Sequence, residues 1–192
     1  MRLPQTHLVR HGQTAWSISG QHTGRSDIPL TAEGEENARQ VGRRLAGLTV
    51  SQVWCSPSQR ARRTCELAGF AARAEVDPDL AEWDYGDYEG LRTADIHTQN
   101  PDWDLFRDGA LHGESIADIG ARADRVIARL QATAGDALIF SSGHFLRVLA
   151  ARWVGLDVGA GKLLLLGTGS LSILSYEHAL TAPVISLWNQ TA

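Results

Sequence analysis

Thr6-His7-Leu8-Val9-Arg10-His11-Gly12 decides how the chain is read. Leu8 and Val9 look like the end of a buried strand. Directly after them come a fixed cation, an imidazole and a helix-permissive glycine. Open α/β sheets bind ligands at the carboxyl edge of their strands, so the rest of the chain should supply more strands with polar groups at the same edge.

Strand-like runs at about 52 to 55, 73 to 76 and 136 to 141 alternate with helical patterns, which predicts a mostly parallel sheet with helices on both faces. Thr31 caps a helix whose Ala38, Val41, Leu45 and Leu48 fall at helical spacing, with Gly47 loosening its end. A second helix is expected after Ser56-Pro57, capped by the serine and burying Ala61, Thr64, Cys65 and Ala68, so that Arg60 sits in its first turn. The longest helix runs from about 115 to 134 on a stripe of Ile116, Ile119, Ala123, Val126, Ile127 and Leu130. A strand over 137–141 and a helix over about 144 to 154 follow, and two tail strands, 170–176 and 184–188, form an antiparallel edge. The class expected is α/β, a three-layer sandwich with a mostly parallel central sheet and one antiparallel edge. Residues 77–113 are rich in aromatic and acidic side chains with little periodicity, which suggests a substrate-site insertion or lid within a single domain spanning 1–192.

Composition bounds the function. The 192 residues carry 43% apolar and 21% charged side chains, ordinary values for a soluble domain, and no stretch has the apolar length of a membrane span. The first residues lack the apolar run and cleavage site of a signal peptide. Cys55 and Cys65 sit in apolar segments without metal-ligand spacing. A cytoplasmic protein is expected, as monomer or homodimer. The net charge of −4 argues against general nucleic-acid binding, so an anion site has to be local. No metal or other cofactor is expected, because no Asp, His and Glu cluster has ligand spacing.

Transfer of a phosphoryl group by protein side chains needs fixed donors for the non-bridging oxygens, a nucleophile, and a proton source for the departing alkoxide. Arg10 follows the first strand, Arg60 the second, Glu82 the third, and Ser142-Gly143-His144 the fourth. His11, flanked by two arginines, should stay neutral and able to attack. Arginine suits the clamp because its planar fork matches phosphate oxygens and keeps its charge. Glu82, in a dry pocket beside a phosphate dianion, should hold its proton as a general acid and later activate water. His7, His22, His97, His112 and His178 are assigned structural or surface roles. Trp83, Trp103 and Trp153 read as core, with Trp83 the best candidate for a substrate wall.

Several motifs in order, Leu8-Val9-Arg10-His11-Gly12-Gln13-Thr14, Thr23-Gly24, Leu30-Thr31-Ala32-Glu33-Gly34, Ser56-Pro57-Ser58-Gln59-Arg60-Ala61 and Glu82-Trp83-Asp84-Tyr85-Gly86, resemble the histidine phosphatase (phosphoglycerate mutase-like) superfamily over nearly the whole chain. The resemblance implies His11 as a phosphohistidine nucleophile, Arg10 and Arg60 as phosphoryl ligands, Glu82 as proton donor, and a substrate site lined by Gln13, Ser17, Thr23, Gly24, Tyr85 and Gly143. Within the superfamily, residues 16–24, 82–90 and 107–109 look like the sugar-phosphate phosphatases, notably sedoheptulose 1,7-bisphosphatases and bacterial acid phosphatases. The implied activity is hydrolysis of a small sugar phosphate or bisphosphate, and the implied partner is a small phosphorylated metabolite. Ser17, where mutases usually carry asparagine, and the short chain disfavour a phosphoglycerate mutase.

One position departs from the family pattern. The second catalytic histidine of the family precedes a glycine after the fourth strand, and alignment on Gly143 puts Ser142 there. A serine supplies one hydrogen bond and no positive charge, and loss of one preorganised donor costs about 10²- to 10³-fold in rate. A weakened phosphatase, a phosphate-binding or regulatory domain, and a substitute role for His144 all follow as alternatives. If residues 142–144 stay extended, His144 shares a face with Ser142. A helix beginning at Gly143 would separate them.

Overall fold

The computed structural model describes residues 2–191. The opening strand, β1 (Thr6–Arg10), is followed by α1 (Ala15–Ser19), α2 (Ala32–Arg44), β2 (Gln52–Cys55), α3 (Gln59–Leu67) and β3 (Ala74–Val76). The chain continues through α4 (Thr93–His97), α5 (Leu105–Asp108), α6 (Ile116–Ala132), β4 (Ala137–Ser141), α7 (Gly143–Trp153), β5 (Leu171–Tyr176) and β6 (Pro183–Gln190). The six strands lie in the order β3-β2-β4-β1-β5-β6. The pairs from β3 to β1 are parallel, whereas β5 runs antiparallel to β1 and β6 to β5. This is the mostly parallel sheet with an antiparallel edge that the strand pattern predicts.

The strands alternate which face each residue enters, as a period of two requires. Leu8, Trp54 and Ile139 join α6 and α7 in one apolar layer, with Ile119, Ala123, Val126, Phe145 and Leu149 among its members. Val9, Val53, Cys55, Leu138 and Phe140 join α2 and α3 in the other, through Val41, Leu45, Ala61 and Cys65. The register agrees, with Leu8 opposite Ile139 and Val9 opposite Phe140. Burying each fully covered Leu, Val, Ile or Phe side chain contributes about 1.5–3 kcal/mol, so both layers hold the sheet. The neighbouring strands β1 and β4 send their following helices, α2 and α7, to opposite faces. A crevice opens between two such strands at their carboxyl ends.

Two local readings change. Thr31 does cap α2, accepting from the Gly34 N–H at 3.0 Å. Ser56 does not cap α3: its N-cap is Ser58, whose hydroxyl makes no capping bond. Asp27 does that work from a distant loop, taking the Gln59 N–H at 2.7 Å. Gly12 starts no helix either. A Cβ there would lie 2.1 Å from the Gly34 carbonyl oxygen, so this glycine lets the turn after β1 press onto the first turn of α2.

Candidate active site

Backbone hydrogen bonds carry the sheet ladder past its strand ends and align the segments that follow. The His11 N–H reaches the Ser141 carbonyl at 3.0 Å, the Ser56 N–H the Phe140 carbonyl at 2.8 Å, and the Asp77 N–H the Cys55 carbonyl at 2.9 Å. Arg10 lies opposite Ser141 in the register. Groups distant in sequence are thereby brought to one edge.

His11 is buried, and its Nδ1 lies 2.8 Å from the Gly12 carbonyl oxygen. A carbonyl only accepts, so Nδ1 carries the proton and Nε2 keeps its lone pair. Burial is the main cause holding the imidazole well below its ordinary pKa, with the Arg60 and Arg10 guanidinium groups acting in the same direction. His11 is therefore a neutral base.

The two arginines are oriented without being neutralised. Arg10 donates Nη1 to the Leu166 carbonyl. Arg60, buried at 1% exposure, donates to the Ser26 carbonyl at 2.9 Å, the Thr23 carbonyl at 2.9 Å and the Gly24 carbonyl at 3.1 Å. The Nε of each is buried without a hydrogen-bond partner. Unpaired buried donors are costly, and two of them beside His11 mark a place for an anion's oxygens. Gly143 makes room for one: a Cβ there would stand 3.1 Å from Arg10 Nε.

Glu82 sits on the N-terminus of α7. Its Oε2 accepts the His144 N–H at 2.9 Å and its Oε1 the Phe145 N–H at 2.7 Å, with the Trp83 N–H also on Oε1 at 2.9 Å. These backbone donors at a helix start fix where the Glu82 carboxyl group points. Trp83 faces away: fully buried, it packs edge-on against Phe106 and donates Nε1 to the Glu114 carbonyl at 2.8 Å. It belongs to the core rather than a substrate wall.

Ser142 is the N-cap residue of α7, but its hydroxyl makes no capping bond and is buried without a partner. Because Gly143 opens the helix, His144 does not share the strand face of Ser142. Its ring goes elsewhere, with Nδ1 2.5 Å from the Tyr85 hydroxyl. Burial, reinforced by Arg147, His22 and Arg10, holds His144 well below its ordinary pKa. Burial and Glu82 raise the Tyr85 phenol well above its own.

A cavity of about 230 Å³ joins these groups. Of the residues named from sequence, Arg10, His11, Ser17, Thr23, Glu82, Tyr85, Gly143 and His144 line it. Arg60 and Ser142 are buried and are not among its lining residues. Gln13 points away, its side-chain oxygen accepting from the Thr31 hydroxyl at 2.8 Å. Gly24 contributes its carbonyl to Arg60 and its N–H to Glu89 at 2.9 Å, so it shapes the site from outside the cavity. Among the cavity's other lining residues two are titratable and were not expected, His22 and Arg147. His22 is buried with its ring centroid 4.7 Å from that of Tyr85. Arg147, one helical turn beyond His144, is held by the Gly161 carbonyl at 3.0 Å and the Lys162 carbonyl at 2.9 Å. The spacing of Arg147 from His144 was a signal available in the sequence; that of His22 was not.

Comparison with known proteins agrees with this architecture. A family model described as histidine phosphatase superfamily (branch 1) matches residues 6–191. The chain is 41% identical over 175 residues to an acid phosphatase of Mycobacterium tuberculosis, covering 89% of this chain and 86% of that one. It is 38% identical over 188 residues to sedoheptulose 1,7-bisphosphatase of Saccharomyces cerevisiae, covering 81% of this chain and 69% of the relative. The solved structure of the open reading frame Rv3214 from Mycobacterium tuberculosis superposes with a TM-score of 0.94 at 38% identity, covering 99% of each chain. No helix among the described residues is long and apolar enough to cross a membrane.

Proposed function

The chain belongs to the histidine phosphatase superfamily (branch 1), and from that membership we propose a phosphomonoesterase that hydrolyses a small sugar phosphate or bisphosphate through a phosphohistidine at His11. The observation that carries the reading is the state of His11, neutral and buried, with Nδ1 engaged and Nε2 free between two arginines whose Nε donors have no protein partner. In the first step the Nε2 lone pair attacks phosphorus, the bond from phosphorus to the sugar oxygen breaks, and Glu82 gives the leaving oxygen its proton. Arg10 and Arg60 hold the non-bridging oxygens throughout. In the second step water attacks phosphorus, Glu82 takes its proton, and the phosphorus–nitrogen bond breaks, returning the electron pair to Nε2 and releasing inorganic phosphate. The type of enzyme is a histidine acid phosphatase-like phosphoric monoester hydrolase working without a metal.

The names of the two relatives, an acid phosphatase and a sedoheptulose bisphosphatase, support the substrate class. Arg147 supports a substrate with a second anionic group. It lines the same cavity, its Nε and Nη2 are bound to carbonyls, and no carboxylate pairs with it among the described residues. We assign residues 77–113 to the wall of this site within a single domain. Ser142 favours one second reading, a phosphate-binding protein with slow turnover.

Acid-sensitive trapping tests the main reading. Enzyme quenched during turnover of a radiolabelled sugar phosphate should carry base-stable, acid-labile phosphate on His11, and His11→Ala should abolish both label and turnover. Full turnover by His11→Ala would overturn it.

A further inference from the structure

We propose that Arg122 and Glu114, neither of which lines the cavity that holds His11, are positioning residues that set the Glu82 carboxylate for departure of the alcohol. The proposal rests on the reading of Glu82 as the proton donor.

Arg122 projects from α6 and is almost wholly buried. Its guanidinium has five N–H donors, and the structure gives bonds for all of them. Nε and Nη2 grip the two Glu114 oxygens at 2.8 and 2.7 Å. Nη1 reaches the Asp79 carbonyl at 2.8 Å and the Ala81 carbonyl at 2.6 Å, and Nη2 reaches the Glu82 carbonyl at 3.3 Å. The backbone that presents Glu82 is thus pinned at three carbonyls by one planar group.

The same arginine also packs against a residue that binds the carboxylate. Its guanidinium carbon lies 4.6 Å from the centre of the Phe145 ring, and the Phe145 N–H is the 2.7 Å donor to Glu82 Oε1. Arg122 therefore packs against both the main chain that carries Glu82 and the residue that receives its side chain. Glu114 completes the frame. Its N–H donates to the Asp84 carbonyl at 2.9 Å, its carbonyl accepts Trp83 Nε1 at 2.8 Å, and its Oε2 accepts the Asp84 N–H at 3.3 Å. The two residues following Glu82 are bound to it.

A buried ion pair is weak grounds for stability, since well-packed apolar replacements are often as stable. Holding a proton donor in place is a different matter. A displacement near 1 Å at a reacting group can cost about 100-fold in rate. Arg122 and Glu114 act on position: they line a neighbouring cavity that Glu82 also borders, not the one that holds His11.

The test varies the leaving group. A sugar-like alkoxide needs a proton to depart, while p-nitrophenolate leaves without one. The parameter kcat/KM covers only the steps through release of the alcohol, so hydrolysis of the phosphohistidine does not enter. Arg122→Lys and Glu114→Gln should lose about 10- to 100-fold in kcat/KM on glycerol 2-phosphate and less than about threefold on p-nitrophenyl phosphate. Glu82→Gln must show the same asymmetry, and adding Arg122→Lys to it should cost nothing further. Equal losses on both substrates, or no loss, in a folded Arg122→Lys would overturn the proposal while Glu82→Gln stays asymmetric. Equal losses in Glu82→Gln itself would overturn the acid reading instead. Should Arg122→Lys fail to fold, Glu114→Gln carries the same comparison.

Discussion

The Tyr85 hydroxyl lies 2.5 Å from His144 Nδ1, and the two groups are held in opposite directions, the phenol well above and the imidazole well below their ordinary pKa values. A protonated phenol facing a neutral imidazole donates, so Nδ1 is the acceptor and the ring proton resides on Nε2. His144 is locked as a hydrogen-bond donor. Tyr85→Phe should release the lock, giving a mixture of tautomers by nitrogen–proton NMR correlation and a kcat/KM lower by about tenfold, the value of one hydrogen bond of about 1.4 kcal/mol. An unchanged Nε2–H spectrum in Tyr85→Phe would contradict the assignment.

Ser142 separates stability from rate. Its buried hydroxyl has no partner, so Ser142→Ala should leave the urea midpoint unchanged or raise stability by up to about 1 kcal/mol. Ser142→His restores an imidazole at that position and should raise kcat by about 10²- to 10³-fold. Robust parental turnover with no gain from the histidine would exclude the slow, phosphate-binding reading.

Gly12→Ala should destabilise the protein by about 1–3 kcal/mol, because the new methyl would need to displace the Gly34 carbonyl and overpacking costs of this order follow. Gly34→Ala meets the Gln13 carbonyl at 2.0 Å and should behave alike. Denaturant midpoints measure both.

Stability should fall in mild acid. His7, His11, His22 and His144 all sit below the ordinary value of 6.5, in each case mainly through burial. In the unfolded chain they take up protons near that pH, so below it the unfolded state binds more protons and unfolding is favoured; above it these four groups add no slope. His7 isolates the effect, being outside the cavity with neither ring nitrogen bonded. His7→Leu should flatten the dependence of Tm on pH below about 6.5. An unaltered slope would remove His7 from the account.

Arg147→Ala should raise KM for a sugar bisphosphate by about 10- to 100-fold, as expected for a lost hydrogen bond to a charged group of about 1.5–3 kcal/mol. The corresponding monophosphate should be nearly unaffected. Equal effects on both would deny Arg147 a second anion.

The succession of strands and helices, the helices on both faces of the sheet and the residues at the strand ends were legible because each depends on spacing within a short segment; the order in which the strands pair was not. Arg10 and His11 needed only the strand before them. What escaped notice was assembled across distance. The cap of α3 comes from Asp27, and the cradle of Glu82 comes from a helix far along the chain, beginning at Gly143. The resemblance implies Gln13 at the substrate site, yet a partner on another segment, Thr31, turns its side chain away. His22 lies within residues 16–24, but no local spacing aims its ring at the site; the aromatic neighbours that bury it are contributed by residues 85 and 103.

Arg10, Arg60 and Arg147 are all oriented by main-chain carbonyls, and among the described residues none forms an ion pair with a carboxylate. The molecule as a whole carries −4. A local concentration of positive potential in an anionic body discourages polyanions, which meet the whole surface, while drawing in small ones, which meet only the cleft. Encounter with a small dianion should accordingly be faster than diffusion between neutral partners and should slow as ionic strength shortens the screening length toward about 8 Å at physiological salt.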